Sequence, residues 1–233
     1  MKNQYFGDIN DYRKYGILRA LGGYPLNVVM SWMLTPNDGR SDGRFTSYLS
    51  EPERWEFLEP ELFQFLRKSV VVRSHREVAA LVKSELIPSA QYVNVLLDGS
   101  AQAREAWLSE TARLAGPGTL VFFDPDNGLE VKSVGKRSKE ASKYLYWDEV
   151  KAVWSKGASL IVYQHFIREN RETFLARLAG EFRKRLGARN VVVARTSNVA
   201  FFLLPQQSHS EILMQRARAA GKRWKEQIRI QQL

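Results

Sequence analysis

A chain of 233 residues, 44% of them hydrophobic, is long enough to bury one large core and too short to divide into two of full size. It has no cysteine, which excludes disulfides, thiolate nucleophiles and thiolate-rich zinc sites. Thirty-five Lys and Arg against 25 Asp and Glu leave a formal charge of +10, which favours polyanions and makes nucleic acid the expected partner class. No apolar run reaches the roughly 18 residues of a membrane span, and Met1 to Asp11 is polar, so a soluble, cytoplasmic protein with no membrane partner is expected.

Along the chain, Tyr12, Tyr15, Ile17, Leu18 and Leu21 form a helical stripe over 11–21 that Gly22-Gly23 stops. A strand follows over 26–33, then a loop of turn composition over 35–47 with two Asp-Gly steps. Helical patterns fit 59–67 and 75–86, with Val70–Val72 as a short strand between them and 92–97 as another. An amphipathic helix over 100–114 ends at Gly116-Pro117-Gly118, and the pattern then gives a strand over 119–123, a helix over 146–154, a strand over 159–163 and a helix over 169–186. Strands over 190–194 and 199–204 make a closing hairpin before a last helix over 209–220. Strand and helix alternation predicts a single α/β domain over 1–233, a three-layer sandwich with a mainly parallel, Rossmann-like sheet, an antiparallel closing hairpin and a basic C-terminal tail.

The chemistry concentrates where apolar strands stop. Leu120-Val-Phe-Phe ends in Asp124-Pro125-Asp126-Asn127-Gly128-Leu-Glu130, the strand over 26–33 is followed by Asn37, Asp38, Gly39 and Arg40, and Leu160-Ile-Val-Tyr163 by Gln164 and His165. In a parallel sheet these ends share one edge, so the polar groups converge on one crevice. Two acids immediately after a buried strand need a compensating partner, although Asp124 could also cap a turn. Lys14, on the first helix, is either a solvated charge or points into that crevice. Arg and Lys crowd 168–189 and 216–229, where Trp224 either packs or stacks on a base.

The order Gly7-Asp-x-x-Asp-Tyr-x-Lys-Tyr-Gly-Ile-Leu, a strand ending in Asp-Pro, a strand ending in Tyr-x-x-Phe and a late Ala-Phe-Phe-Leu-Leu-Pro resembles the YhiR-type adenine-N6 rRNA methyltransferases. It also resembles bacterial and mobile-element proteins with a similar Gly-Asp-x-x-Asp-Tyr-x-Lys-Tyr start. The first resemblance implies a class I methyltransferase-like fold, S-adenosylmethionine as cofactor and nucleic acid as substrate. Asp124 and Pro125 would then belong to the motif that holds the target amine, Asn127 would read it, and Lys14 would line the same site. The loop Asn37, Asp38, Gly39, Arg40 would contact the donor. Asp126-Asn127 stands where that family has Pro-Tyr, and Thr35-Pro-Asn-Asp-Gly-Arg40 where it has a Gly-rich turn. Two alternatives remain: a phosphoesterase or nuclease binding Mg²⁺ through Asp124, Asp126 and Glu130 with His165 or Lys143 assisting, and a non-catalytic nucleic-acid-binding module on the same fold.

Overall fold

Residues with β-branched and aromatic side chains in short apolar runs become adjacent strands, and the segments between them supply helices to cover both faces. A computed structural model describes residues 1–39 and 43–233. In chain order the elements are α1 (Ile9–Leu21), β1 (Asn27–Trp32), α2 (Pro52–Trp55), α3 (Pro60–Arg67), α4 (Ala79–Ser84), β2 (Ala90–Val93), α5 (Ala101–Leu114), β3 (Thr119–Asp124), β4 (Gly128–Leu129), β5 (Tyr144–Leu145) and α6 (Trp147–Trp154). They continue with β6 (Ser159–His165), α7 (Arg171–Leu186), β7 (Val192–Arg195), β8 (Val199–Leu204), α8 (Ser210–Trp224) and β9 (Arg229–Gln232).

The central sheet has seven strands in the order β2-β1-β3-β6-β8-β7-β9. The first four are parallel, and β8 runs against both β6 and β7, with β9 antiparallel to β7 at the edge. The result is a mixed α/β fold with a mostly parallel sheet flanked by helices. Successive residues of β3 feed opposite layers: Leu120 and Phe122 join the core beneath α1, α3 and α8, while Val121 and Phe123 join the one beneath α5, α6 and α7. Such two-sided burial explains why the strands read as continuous apolar runs rather than as alternating ones. The chain passes from β1 outward to β2 and then back across to β3, so the order reverses between β1 and β3. Open α/β sheets bind ligands at such a reversal, beyond the carboxyl ends of the strands.

Several local expectations are corrected. Val70–Val72 is no strand: no breaker follows α3, and the chain continues through a π-helical turn, Lys68–Val72, closed by the Arg73 amide on the Lys68 carbonyl at 3.0 Å. The helix expected over 75–86 shortens to α4, and the strand over 92–97 shifts to Ala90–Val93 with one further bridge from Leu96 to Leu34. The segment 229–232, expected as basic tail, is the edge strand β9; its charged and amide residues suit an edge that must not recruit another chain. Trp224 is buried, edge-on to Tyr12 at 5.1 Å. It lies so close to Gly16 of α1 that a Cβ there would meet its ring at 2.1 Å, so packing is its role and base stacking is ruled out.

Candidate functional site

The first turn of α1 and the ends of β3 and β6 enclose a cavity of about 350 Å³. Its floor is a buried ionic triad. Lys14 Nζ donates to Asp11 Oδ1 and to Asp124 Oδ2, each at 2.7 Å, and all three residues are at most 3% exposed. The i, i+3 spacing puts Asp11 and Lys14 on one face of α1, and packing of that helix on the sheet carries them to Asp124. Burial pushes Asp11 up to about 6 despite the ammonium beside it. Burial alone would lower Lys14, but Asp11 and Asp124 outweigh it and hold the ammonium charged. The aromatic faces of Tyr163 at 5.3 Å and Tyr15 at 5.6 Å flank the same ammonium.

Around this floor lie Asp8, Asn10, Pro125, Asp126, Asn127, Tyr163 and His165, with Tyr5 and Phe45 nearer the mouth. Asp8 caps α1 by accepting from the Asn10 amide at 2.8 Å, and its second oxygen accepts from the Phe45 amide at 3.1 Å. His165 sits edge-on to Tyr163 at 5.0 Å, and burial lowers its pKa although Asp124 and Asp126 pull the other way, so the ring is neutral at pH 7. Among the described residues no protein hydrogen bond reaches Asp124 Oδ1, which leaves this cavity-lining carboxylate with one oxygen free to accept. With the oxygens of Asp8, Asp11 and Asp126 engaged, the side-chain acceptors left open include Asp124 Oδ1 and Asn10 Oδ1, and beside aromatic faces they suit a planar group bearing N–H donors.

Asp124, Pro125, Asp126, Asn127, Lys14 and His165 thus all line one cavity, although they come from three separate parts of the sequence. Sequence reasoning gave no role to Asp8, Asp11, Tyr5 and Phe45, which line it too. The only signal for Asp11 was its placement one helical turn before Lys14. Gln164, expected to face the crevice, instead turns behind it: its Oε1 accepts from the Leu129 amide at 2.8 Å, and its amide packs where any Cβ on Gly128 would fall, at 2.4 Å.

The loop after β1 is engaged elsewhere. Asn37 accepts from the Gln4 amide at 3.1 Å, and Asp38 accepts from Lys2 Nζ at 2.7 Å and from Gln4 Nε2 at 3.0 Å. Neither residue lines the cavity, nor does Gly39, and Arg40 lies outside the described residues. The reversal point between β1 and β3 is itself filled by Met1 and Lys2. The Met1 amine donates to the Met33 carbonyl at 2.9 Å and the Asp124 carbonyl at 3.2 Å, and pairs with Asp126 Oδ1 at 2.5 Å. Burial would raise Asp126, but this amine, the Thr35 hydroxyl at 2.8 Å and Lys2 outweigh it and hold the carboxyl below the usual range.

The Mg²⁺ set of Asp124, Asp126 and Glu130 is not assembled. Asp124 is neutralised by Lys14, Asp126 by the Met1 amine, and Glu130 accepts from the Trp147 amide at 2.9 Å, capping α6. Lys143 pairs with Glu140, and among the described residues no three carboxylate or imidazole groups gather as a metal site.

No family model matches the chain, and no curated protein does. Among solved structures, the fold is similar to that of protein LPL1258 from Legionella pneumophila str. Philadelphia 1, assigned to the family DUF519, with a TM-score of 0.50 and 10% identity over 97% of each chain. That likeness is one of fold alone.

Proposed function

We propose that this chain binds nucleic acid and takes one unstacked, amine-bearing base into the cavity over Asp124, on a methyltransferase-like scaffold that holds no methyl donor. The observation that carries this reading is the buried triad, which presents Asp124 Oδ1 as a fixed acceptor beneath aromatic walls. An exocyclic amine has N–H donors that Asp124 Oδ1 can accept, and a flipped base is ordinarily read by hydrogen bonds to its edge and by ring contacts. The parallel run β2-β1-β3-β6 and the closing hairpin agree with the class I methyltransferase-like fold that the motif order implies, and the excess positive charge supplies phosphate attraction.

S-adenosylmethionine fits the residues present poorly. No Gly-rich turn follows β1, Asn37 and Asp38 are occupied by Gln4 and Lys2, and Met1 and Lys2 fill the crevice between β1 and β3. We therefore derive no methyl transfer. Calorimetric titrations of the full chain with S-adenosylmethionine and, separately, with a single-stranded oligonucleotide at low salt test the reading. Heat is expected only from the oligonucleotide; saturable heat from S-adenosylmethionine would restore methyl transfer, and silence from the oligonucleotide would remove the nucleic-acid role.

A further inference from the structure

Of the large apolar side chains that the described residues leave exposed, Phe45 is the one that lines the cavity, and it is 70% exposed. Its exposure is not that of a floating loop. The Phe45 amide donates to Asp8 Oδ2 at 3.1 Å and its carbonyl accepts from the Ile9 amide at 3.0 Å, so both sides of the residue are tied to the start of α1. Just upstream, Gly43 has φ +74 and lies against Tyr5, where a Cβ would meet the ring at 2.2 Å. The Gly43 carbonyl accepts from Arg76, which also donates to the Phe6 carbonyl at 2.8 Å. A rigidly presented, solvent-facing aromatic at the mouth of an acceptor-floored cavity is what a stacking contact requires. The lining residues that follow β3, Pro125, Asp126 and Asn127, include no aromatic, so that side offers no ring of its own.

We infer that Phe45 is the stacking platform of the site, covering one face of a heteroaromatic ring whose amine points to Asp124, and that Asp8 is the positioning residue that fixes it. The inference deepens the base-binding reading and rests on it for the polymer, but the ring contact is testable without one. Three variants of the full chain are compared: Phe45→Ala, Phe45→Leu and Phe45→Trp. On a single-stranded deoxyadenosine oligonucleotide, Phe45→Ala and Phe45→Leu are expected to lose about tenfold in affinity, the factor typical of one base–aromatic stack, whereas Phe45→Trp keeps it. On an abasic strand of equal length all four proteins are expected to bind alike. Free adenosine is expected to quench the added indole of Phe45→Trp beyond any change in wild type. Equal affinity of Phe45→Ala and wild type for the adenine strand, or equal losses on the abasic strand, would overturn the inference. If no oligonucleotide binds but adenosine still quenches, the nucleic-acid reading falls and the platform stands; absence of quenching overturns the platform itself.

Discussion

Without the ammonium of Lys14, Asp11 and Asp124 would face one another in a buried site with no cation between them, a loss ordinarily worth about 3–5 kcal/mol when one partner of a buried charge pair is removed. Lys14→Met is therefore expected to lower the urea midpoint sharply, and a midpoint within error of wild type would show that the triad contributes nothing to stability. Asp11 makes a pH-dependent contribution of definite sign. Its carboxyl is raised from 3.8 to about 6 in the native state, so between those values the folded chain holds a proton that the unfolded chain releases. Its contribution is present below pH 4 and is lost as pH rises through 6, amounting to about 3 kcal/mol at 1.36 kcal/mol per unit. Relative to wild type, Asp11→Asn should gain stability by up to that amount between pH 4 and pH 7. Denaturant unfolding at both values checks it, and a pH-independent difference would refute it.

At the scale of elements, the carboxyl-terminal helix α8 is a brace for α1 rather than a basic arm. Arg216 donates to the carbonyls of Leu21, Gly22, Gly23 and Tyr24 at 2.7–3.0 Å, satisfying the orphan end of α1, and Arg223 pairs with Glu59. Arg216→Ala is expected to cost about 1–3 kcal/mol, as charge-assisted hydrogen bonds do, while leaving the salt dependence of oligonucleotide binding unchanged. Sequence showed most elements because their apolar runs are buried on both faces, as β3, β6 and β8 are, or carry a clean cap, as Ser100 does for α5. It missed β4, β5 and β9, which are short or polar and owe their existence to a neighbouring strand rather than to their own propensity. The same holds for Lys14: its spacing from Asp11 was visible, but its bond to Asp124, 110 residues away, depends on how α1 lies on the sheet.

At the scale of the molecule, the net charge was legible but its deployment was not, since Arg216 and Arg223 are engaged in internal bonds. Two exposed cations are close in sequence to cavity-lining residues: Arg44, between Gly43 and Phe45, and Arg168, three residues beyond His165. Replacing both with Ala is expected to flatten the salt slope of single-strand binding by up to about two, roughly one for each phosphate no longer neutralised. An unchanged slope would place the phosphates elsewhere. Base choice tests the role of Asp124 most directly. Affinities of wild type and Asp124→Asn should be measured at low salt for single strands of equal length made of deoxyadenosine, deoxycytidine or thymidine. Wild type is expected to prefer the amine-bearing strands over thymidine by about tenfold, the discrimination of one well-placed hydrogen bond, and Asp124→Asn, whose amide oxygen is drawn to the Lys14 ammonium so that its NH2 faces the cavity, to lose that preference while still binding. Equal affinity of wild type for all three strands, or a preference that survives in Asp124→Asn, would contradict it.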